Sequence, residues 1–297
     1  MAEQSNDIDV QDVVYLKHGN EELLARVYTP KGKGDGPFGA VIELHGGAWS
    51  KFDRTRGKSV HEALARAGLV VVAIDFRQGA DGAYPKSPSD INYAIRWLKV
   101  NAARFKVDPN RIGISGNSSG GHLGMLVCMR PEEPRYNSIA LPSGSPPVDS
   151  SVKCISMLWP VINPYGRYRH AKRLVAKGDA PDWAHEVIPL HDMYWKTEEA
   201  MKEGSPTLIL ERHEKVNLPP ALWVRASDDL VHDYHDEESD IPGTEADRFI
   251  QRYREAGGEI KLSTYEAPMM FTTMHPTMPA SIAAMQEVVD FAKKHLG

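Results

Sequence analysis

The chain has 297 residues, of which 41% are apolar and 25% charged, and a formal net charge of −5. These values are typical of an ordinary globular protein, and they give no reason to expect nucleic acid or an anionic membrane as a partner. No apolar stretch approaches the roughly 20 residues that would span a bilayer.

The N-terminal residues and the cysteines indicate the cellular compartment. Residues 1–7 are polar and acidic and lack the basic start and apolar core of a secretory signal. The two cysteines, Cys128 and Cys154, sit in apolar segments, so we expect buried free thiols rather than a disulfide. Together these features predict a cytoplasmic protein.

The predicted elements begin with strands at 10–17 and 21–28, joined by a turn at 18–20 as in an antiparallel pair. Strands and helices then alternate. In chain order they are a strand at 40–44, a helix at 61–67, a strand at 69–74, a helix capped by Ser89 or Asp90, a strand at 111–115, a helix after Ser118, strands at 153–162 and 220–226, a helix at 244–256, a strand at 259–265 and a helix at 280–296. This alternation predicts an α/β fold with a mostly parallel central sheet and helices on both faces.

The segment 163–204 interrupts the alternation. It is rich in aromatic and charged residues and has no strand-like run. We interpret it as a cap inserted over the sheet of a single domain spanning 1–297. Its basic side chains, among them Arg167 and Arg169, are expected to form a solvated face, with contact to an acidic substrate as the alternative.

The most informative motif is Gly116-Asn117-Ser118-Ser119-Gly120, which follows the predicted strand at 111–115. A strand that runs into G-x-S-x-G is the context of a nucleophile elbow, in which a tight turn exposes the serine Oγ. The motif therefore predicts that Ser118 is the nucleophile of a serine hydrolase.

A second motif, His45-Gly46-Gly47-Ala48-Trp49, directly follows the predicted strand at 40–44. Such a glycine pair lets the backbone approach a reacting carbonyl, and its N–H groups then stabilise the negative charge of a tetrahedral intermediate. We predict an oxyanion hole formed by the N–H groups of Gly47, Ala48 and Ser119.

A serine nucleophile needs a base and an orienting acid, in the chain order serine, acid, histidine. The acid should end a late strand, and both Asp228 and Asp229 follow the strand at 220–226. The base should follow the last strand, where His275 is the one histidine of the loop; His295, in the last helix, is the alternative.

These residues together resemble the α/β-hydrolase superfamily, in particular its HGG-motif carboxylesterases, the hormone-sensitive-lipase-like and kynurenine-formamidase-like group. The resemblance covers nearly the whole chain from about residue 13. Its D-x-x-V pattern selects Asp228 over Asp229 as the acid. Two departures are Ser119, where the family usually has alanine, and His275-Pro276, where the lipase-like group has H-G-F.

The resemblance implies an esterase that cleaves a small or medium carboxylic ester through an acyl-enzyme, without a cofactor or metal. The same machinery also serves an amidase or formamidase, a lactone or thioester hydrolase, and a non-catalytic receptor on this fold is the remaining alternative. Trp49, Met270 and Met274 are the predicted pocket residues. The histidine and acidic residues of 231–238 are expected to form a solvated loop, not a metal site. A small-molecule ester is the expected partner, and a homodimer remains an open option.

Overall fold

The computed structural model describes residues 7–178 and 180–297. The prediction about a secretory signal concerns residues 1–7, which lie almost wholly outside this range. The strands of the described residues are β1 (Ile8–His18), β2 (Glu21–Pro30), β3 (Phe38–Leu44), β4 (Val70–Ile74), β5 (Val107–Asn117), β6 (Ile155–Leu158), β7 (Ala221–Asp228) and β8 (Ile260–Pro268). The helices of the same part of the chain are α1 (Lys58–Arg66), α2 (Lys86–Val100), α3 (Ser119–Met129), α4 (Pro164–Lys177), α5 (Asp182–Trp195), α6 (Glu198–Glu203), α7 (Pro206–Glu211), α8 (Glu245–Glu255), α9 (Phe271–Met274) and α10 (Pro279–Leu296).

In the described part of the chain, the strands form a single sheet in the order β1-β2-β4-β3-β5-β6-β7-β8. The β1–β2 and β2–β4 pairs are antiparallel, and all pairs from β4 to β8 are parallel. β3 and β4 are buried at every position because helices cover both faces of the sheet, which explains their continuous apolar sequences. The predicted mostly parallel α/β architecture is confirmed.

Two apolar cores lie on opposite faces of the sheet. One contains side chains of α2, α3 and α8, such as Leu98, Leu126 and Phe249. The other contains side chains of α1, α9 and α10, such as Leu64 and Val288. The two cores hold the sheet between them, so the carboxyl ends of β3, β5, β6 and β7 lie next to one another at one edge. Ligands bind at this edge in open parallel sheets.

The predicted cap of α2 is wrong in position. The helix begins at Lys86, four residues before Asp90. Asp90 is instead fully buried, and it accepts hydrogen bonds from the backbone N–H of Arg77 at 2.9 Å and from the Arg77 guanidinium. Asp90 therefore holds the loop after β4 rather than a helix end.

The segment between β6 and β7 is helical, comprising α4 to α7. α4 and α5 share a small apolar cluster that includes Ala171, Ala184 and Val187. The helical part continues to Glu211, beyond the predicted end at 204. Its interpretation as a cap within a single domain stays a prediction.

Candidate active site

Ser118 sits at the sharp turn between β5 and α3. Its backbone has φ +50° and ψ −120°, a strained conformation for a residue with a side chain. The turn is possible because its flanks are glycines. A Cβ on Gly120 would overlap the carbonyl oxygen of Leu44, and a Cβ on Gly116 would lie 2.7 Å from the backbone carbon of Gly120. The strand–turn–helix geometry expected of the G-x-S-x-G motif is therefore present.

A hydrogen-bonded chain of side chains leads away from Ser118. The Oγ atom lies 2.9 Å from Nε2 of His232, and Nδ1 of His232 lies 2.8 Å from both carboxylate oxygens of Asp229. Because Nδ1 donates to a carboxylate, it carries the ring proton, and Nε2 is left with a lone pair that accepts from the serine hydroxyl. This is the arrangement of a nucleophile, a base and an orienting acid.

Asp229 is held in its ionised form by its surroundings. Burial by itself would raise the pKa of its carboxyl, but the imidazole of His232 and the backbone N–H groups of His232 and Val231 outweigh burial and lower it. The two N–H groups donate to Oδ1 at 3.1 and 3.2 Å. Asp229 and His232 thus come from one turn of four residues after β7.

This geometry corrects the base and the acid expected from the sequence. His275 is exposed at the end of α9, and no hydrogen bond joins its imidazole to any residue of the described ranges. Asp228 is also exposed, and its neighbour Asp229 turns inward. The alternative His295 lies in α10, far along the chain from this turn, and also makes no contact with Ser118 within the described residues.

The physical reason lies in the loop after β8. Met270 takes a left-handed backbone conformation and starts α9, which directs Met269, Met270 and Thr273 toward Ser118 and leaves His275 beyond the helix end. The sequence contains one signal for His232 as the partner of Ser118, namely that this histidine follows Asp229 by three residues. The prediction of a solvated loop at 231–238 weighs that stretch only against a metal site, and it is wrong for His232, which is buried.

The predicted oxyanion donors surround the serine. Gly46, Gly47 and Ala48 line the same pocket as Ser118, and Gly47 and Ala48 have φ values of +113° and +50°. Within the described residues, the N–H groups of Gly47 and Ala48 donate to no protein acceptor. The N–H of Ser119 belongs to the first turn of α3, where helix N–H groups have no intrahelical partner. These three donors are therefore available to a substrate oxygen.

The departure at Ser119 has a structural role. Its Oγ accepts a hydrogen bond from the backbone N–H of Trp49 at 3.1 Å, which ties the HGG loop to α3. The Trp49 indole in turn donates to Nδ1 of His122 at 3.2 Å, and Nε2 of His122 donates to the carbonyl of Gly204 at 2.8 Å. Burial lowers the pKa of His122 to about 3, so the ring stays neutral and keeps both bonds at neutral pH.

A pocket of about 240 Å³ opens beside Ser118. Of the predicted pocket residues, Met270 lines it. Trp49 is buried behind the loop against Tyr194, and Met274 is exposed with its sulfur 3.4 Å from Arg56. A second hollow of about 550 Å³ lies at the amino ends of β7 and β8, on the side of the sheet away from this chemistry.

Other expectations concern cysteines, metals and membranes. Cys128 and Cys154 are free and buried, as predicted, and burial raises the pKa of both thiols. In the described ranges, no group of three or more histidine, cysteine or acidic side chains is arranged to hold a metal ion. Among the helices of those ranges, none is both long and apolar enough to cross a membrane.

The BD-FAE family model matches residues 26–231, about two thirds of the chain. The chain belongs to the BD-FAE family. The matched segment includes the HGG loop, the elbow and Asp229, and it ends one residue before His232.

Curated relatives of this BD-FAE family member include esterases. Esterase LipC of Mycobacterium tuberculosis is 30% identical over 220 residues, which are 73% of this chain and 49% of LipC. Carboxylesterase NlhH of the same organism is 34% identical over 114 residues, which are 37% of this chain and 34% of NlhH. The aligned part of the chain thus spans about half the length of LipC and about a third of the length of NlhH.

Solved structures confirm the fold of this family member. An esterase of Rhizomucor miehei superposes with a TM-score of 0.76 at 19% identity, covering 97% of this chain and 84% of that one. The carboxylesterase EstE1, cloned from a metagenomic library, superposes with a TM-score of 0.74 at 23% identity, covering 97% and 90%. The predicted α/β-hydrolase fold and the resemblance to carboxylesterases of that superfamily are confirmed.

Proposed function

We propose that this chain is a serine esterase that cleaves a carboxylic ester of a small or medium-sized molecule. The observation that carries the proposal is the chain of hydrogen bonds from Ser118 through His232 to Asp229. The esterase relatives support the class of reaction. The roles of base and acid are assigned from this geometry and replace those expected from the sequence.

The first step is acylation. As Ser118 Oγ attacks the ester carbonyl, Nε2 of His232 takes the hydroxyl proton, which it already accepts in a 2.9 Å hydrogen bond. Asp229 keeps the proton on Nδ1 and stabilises the imidazolium that forms. His232 then gives its proton to the departing alkoxide, which leaves as an alcohol.

Negative charge develops on the former carbonyl oxygen during the attack. The N–H groups of Gly47, Ala48 and Ser119 have no acceptor among the described residues and are preset beside the serine, so they stabilise this charge without reorganising. Loss of one such donor typically costs roughly 3 kcal/mol of barrier. In the second half-reaction, water activated by His232 attacks the acyl-enzyme and releases the acid.

The proposal retains the other expectations drawn from the sequence: a single domain with a cap near 163–204, a cytoplasmic location and a small-molecule ester as partner. Amides, lactones and thioesters present the same carbonyl to the same machinery. A substrate panel of these bond types decides the leaving group. A receptor without turnover would bind a ligand but leave Ser118 unlabelled by a fluorophosphonate.

The test compares two histidines. We expect His232→Asn to lower kcat/KM for p-nitrophenyl butyrate by about 10³-fold or more, because the base is lost, and His275→Asn to leave it nearly unchanged. Ser118→Ala should abolish both turnover and fluorophosphonate labelling. Loss of activity in His275→Asn with activity retained in His232→Asn would refute the assignment of the base.

A further inference from the structure

The pocket beside Ser118 is locally basic in an acidic protein. Lys51, Arg56 and Arg167 line it, against the single exposed carboxylate of Glu186 and the Asp229–His232 pair at its base. No ion pair within 4.0 Å joins any of these three cations to an acid of the described residues. With a formal net charge of −5 on the whole chain, this excess of positive charge is a local feature.

Arg167 is the unusual member of this set. It lies in the first turn of α4 and is only 2% exposed, so it does not belong to the solvated face expected for this segment. Its Nε and Nη2 atoms are buried without a hydrogen-bond partner in the described residues. Its guanidinium lies over the face of Trp49, whose ring centroid is 5.3 Å from the guanidinium carbon, and it interacts electrostatically with Asp229.

A buried guanidinium without a partner is costly. Charges inside proteins are normally paired with an opposite charge and hydrogen-bonded, because burial removes their hydration. Burial lowers the pKa of Arg167 to about 10, which still leaves it protonated at neutral pH. The ring of Trp49 attracts the guanidinium charge only weakly, and it accepts no hydrogen bond from the N–H groups that lie in the guanidinium plane. The charge of Asp229 offsets part of the positive charge, but no hydrogen bond joins Nε or Nη2 of Arg167 to any described residue, so the guanidinium can still pair with an anionic group that enters the pocket.

We propose that the substrate is an ester that also carries a free carboxylate, and that Arg167 binds this carboxylate while Ser118 attacks the ester bond. A planar guanidinium pairs with two carboxylate oxygens in a fixed geometry, which favours a carboxylate over a neutral polar group. Lys51 and Arg56, on the more exposed side of the pocket, attract the anion. The ester part of this inference rests on the proposed function.

The carboxylate can belong to the acyl or to the alcohol half of the ester. Two matched pairs of substrates separate these cases. Monomethyl adipate and methyl hexanoate differ by a terminal carboxylate in place of a methyl group on the acyl half. 4-Acetoxybenzoate and 4-methylphenyl acetate differ in the same way on the alcohol half. Hydrolysis of all four is followed by pH-stat titration.

The readout is the ratio of kcat/KM between the charged and the neutral ester of each pair. We expect the ratio to exceed about 10 in one pair and to fall about 10- to 100-fold in Arg167→Met, because a charge-assisted hydrogen bond is lost. Arg167→Lys should retain part of it. Arg169→Met is the matched control, since Arg169 is on the same helix but pairs with Glu238 on the surface, and its ratio should not change.

Equal loss for charged and neutral esters in Arg167→Met would overturn the inference, because that result indicates a packing role under Trp49. A wild-type ratio below one in both pairs would overturn it without any variant. Arg167→Gln replaces Arg167→Met if the latter does not fold by circular dichroism.

Binding separates this inference from the proposed function. Titration calorimetry of adipate and 4-hydroxybenzoate against Ser118→Ala needs no turnover, and the better ligand should bind at least about tenfold more weakly when Arg167→Met is added. Binding without hydrolysis of any ester refutes the esterase and leaves the carboxylate site. Hydrolysis without any charge preference or carboxylate binding refutes the carboxylate site and leaves the esterase.

Discussion

Replacing Asp229 with asparagine should inactivate the protein without removing any side chain from the site. In the structure, Oδ1 of Asp229 accepts from the backbone N–H groups of Val231 and His232, and both carboxylate oxygens face Nδ1 of His232. Only an oxygen can keep the two backbone bonds. The amide nitrogen of the asparagine therefore takes the place of Oδ2, 2.8 Å from Nδ1.

An amide N–H aimed at Nδ1 favours the wrong ring tautomer. Nδ1 then becomes the acceptor and the proton moves to Nε2, so that Nε2 presents an N–H to Ser118 instead of a lone pair. The base is lost although its position is kept. We expect kcat/KM to fall about 10³- to 10⁴-fold, which corresponds to roughly 4 to 5.5 kcal/mol of barrier.

The assay is initial-rate hydrolysis of p-nitrophenyl butyrate, with active serine counted by fluorophosphonate labelling. Asp228→Asn is the matched control: its side chain is exposed one residue earlier, and its activity should stay within about twofold of the wild type. Retention of more than a tenth of the activity in Asp229→Asn, or a large loss in Asp228→Asn, would refute the reasoning.

Two further predictions concern the support of the oxyanion loop. Ser119→Ala should lower the free energy of unfolding in urea by about 1 to 3 kcal/mol, because the buried N–H of Trp49 loses its acceptor. The control is Ser115→Ala, which should cost little, because Ser115 is equally buried but its Oγ has no partner in the described residues. Equal effects of the two substitutions would contradict the role of Ser119. His122 takes up a proton below about pH 6.5 in the unfolded chain but only near pH 3 in the folded protein. The free energy of unfolding should therefore fall as the pH is lowered, and His122 should account for about 2 kcal/mol of this fall between pH 7.5 and 5.0. His122→Gln should remove that part of the fall, and an unchanged pH dependence of its urea unfolding would count against a neutral buried ring.

Much of the fold followed from local patterns. Continuous apolar runs mark strands that are covered on both faces, and residues 69–74 predict β4 closely because every side chain of that strand is buried. The strand predicted at 153–162 was too long, since only Ile155–Leu158 pairs within the sheet. Asp90 suited a helix cap by residue type, but its long-range partners in the loop after β4 decided its position.

The site divides in the same way. The elbow and the HGG loop are short motifs whose function depends on backbone conformation, which glycines reveal in the sequence. A base is different, because any histidine on a loop near Ser118 can serve. β7 and β8 are adjacent parallel strands, about 5 Å apart. The loop after either strand could therefore carry a histidine to the serine, and the loop conformation decides which one does.

The sequence by itself determined the turn that exposes Ser118, the HGG loop beside it and the α/β architecture, because each depends on residues that are close in the chain or on the period of the apolar pattern. Only the tertiary structure decided that His232 and Asp229, not His275 and Asp228, meet Ser118. The reason is that the conformation of two loops sets which side chains turn inward. The burial of Arg167 at the start of α4 was also decided there, since a basic residue gives the same sequence pattern on a solvated face and against a pocket.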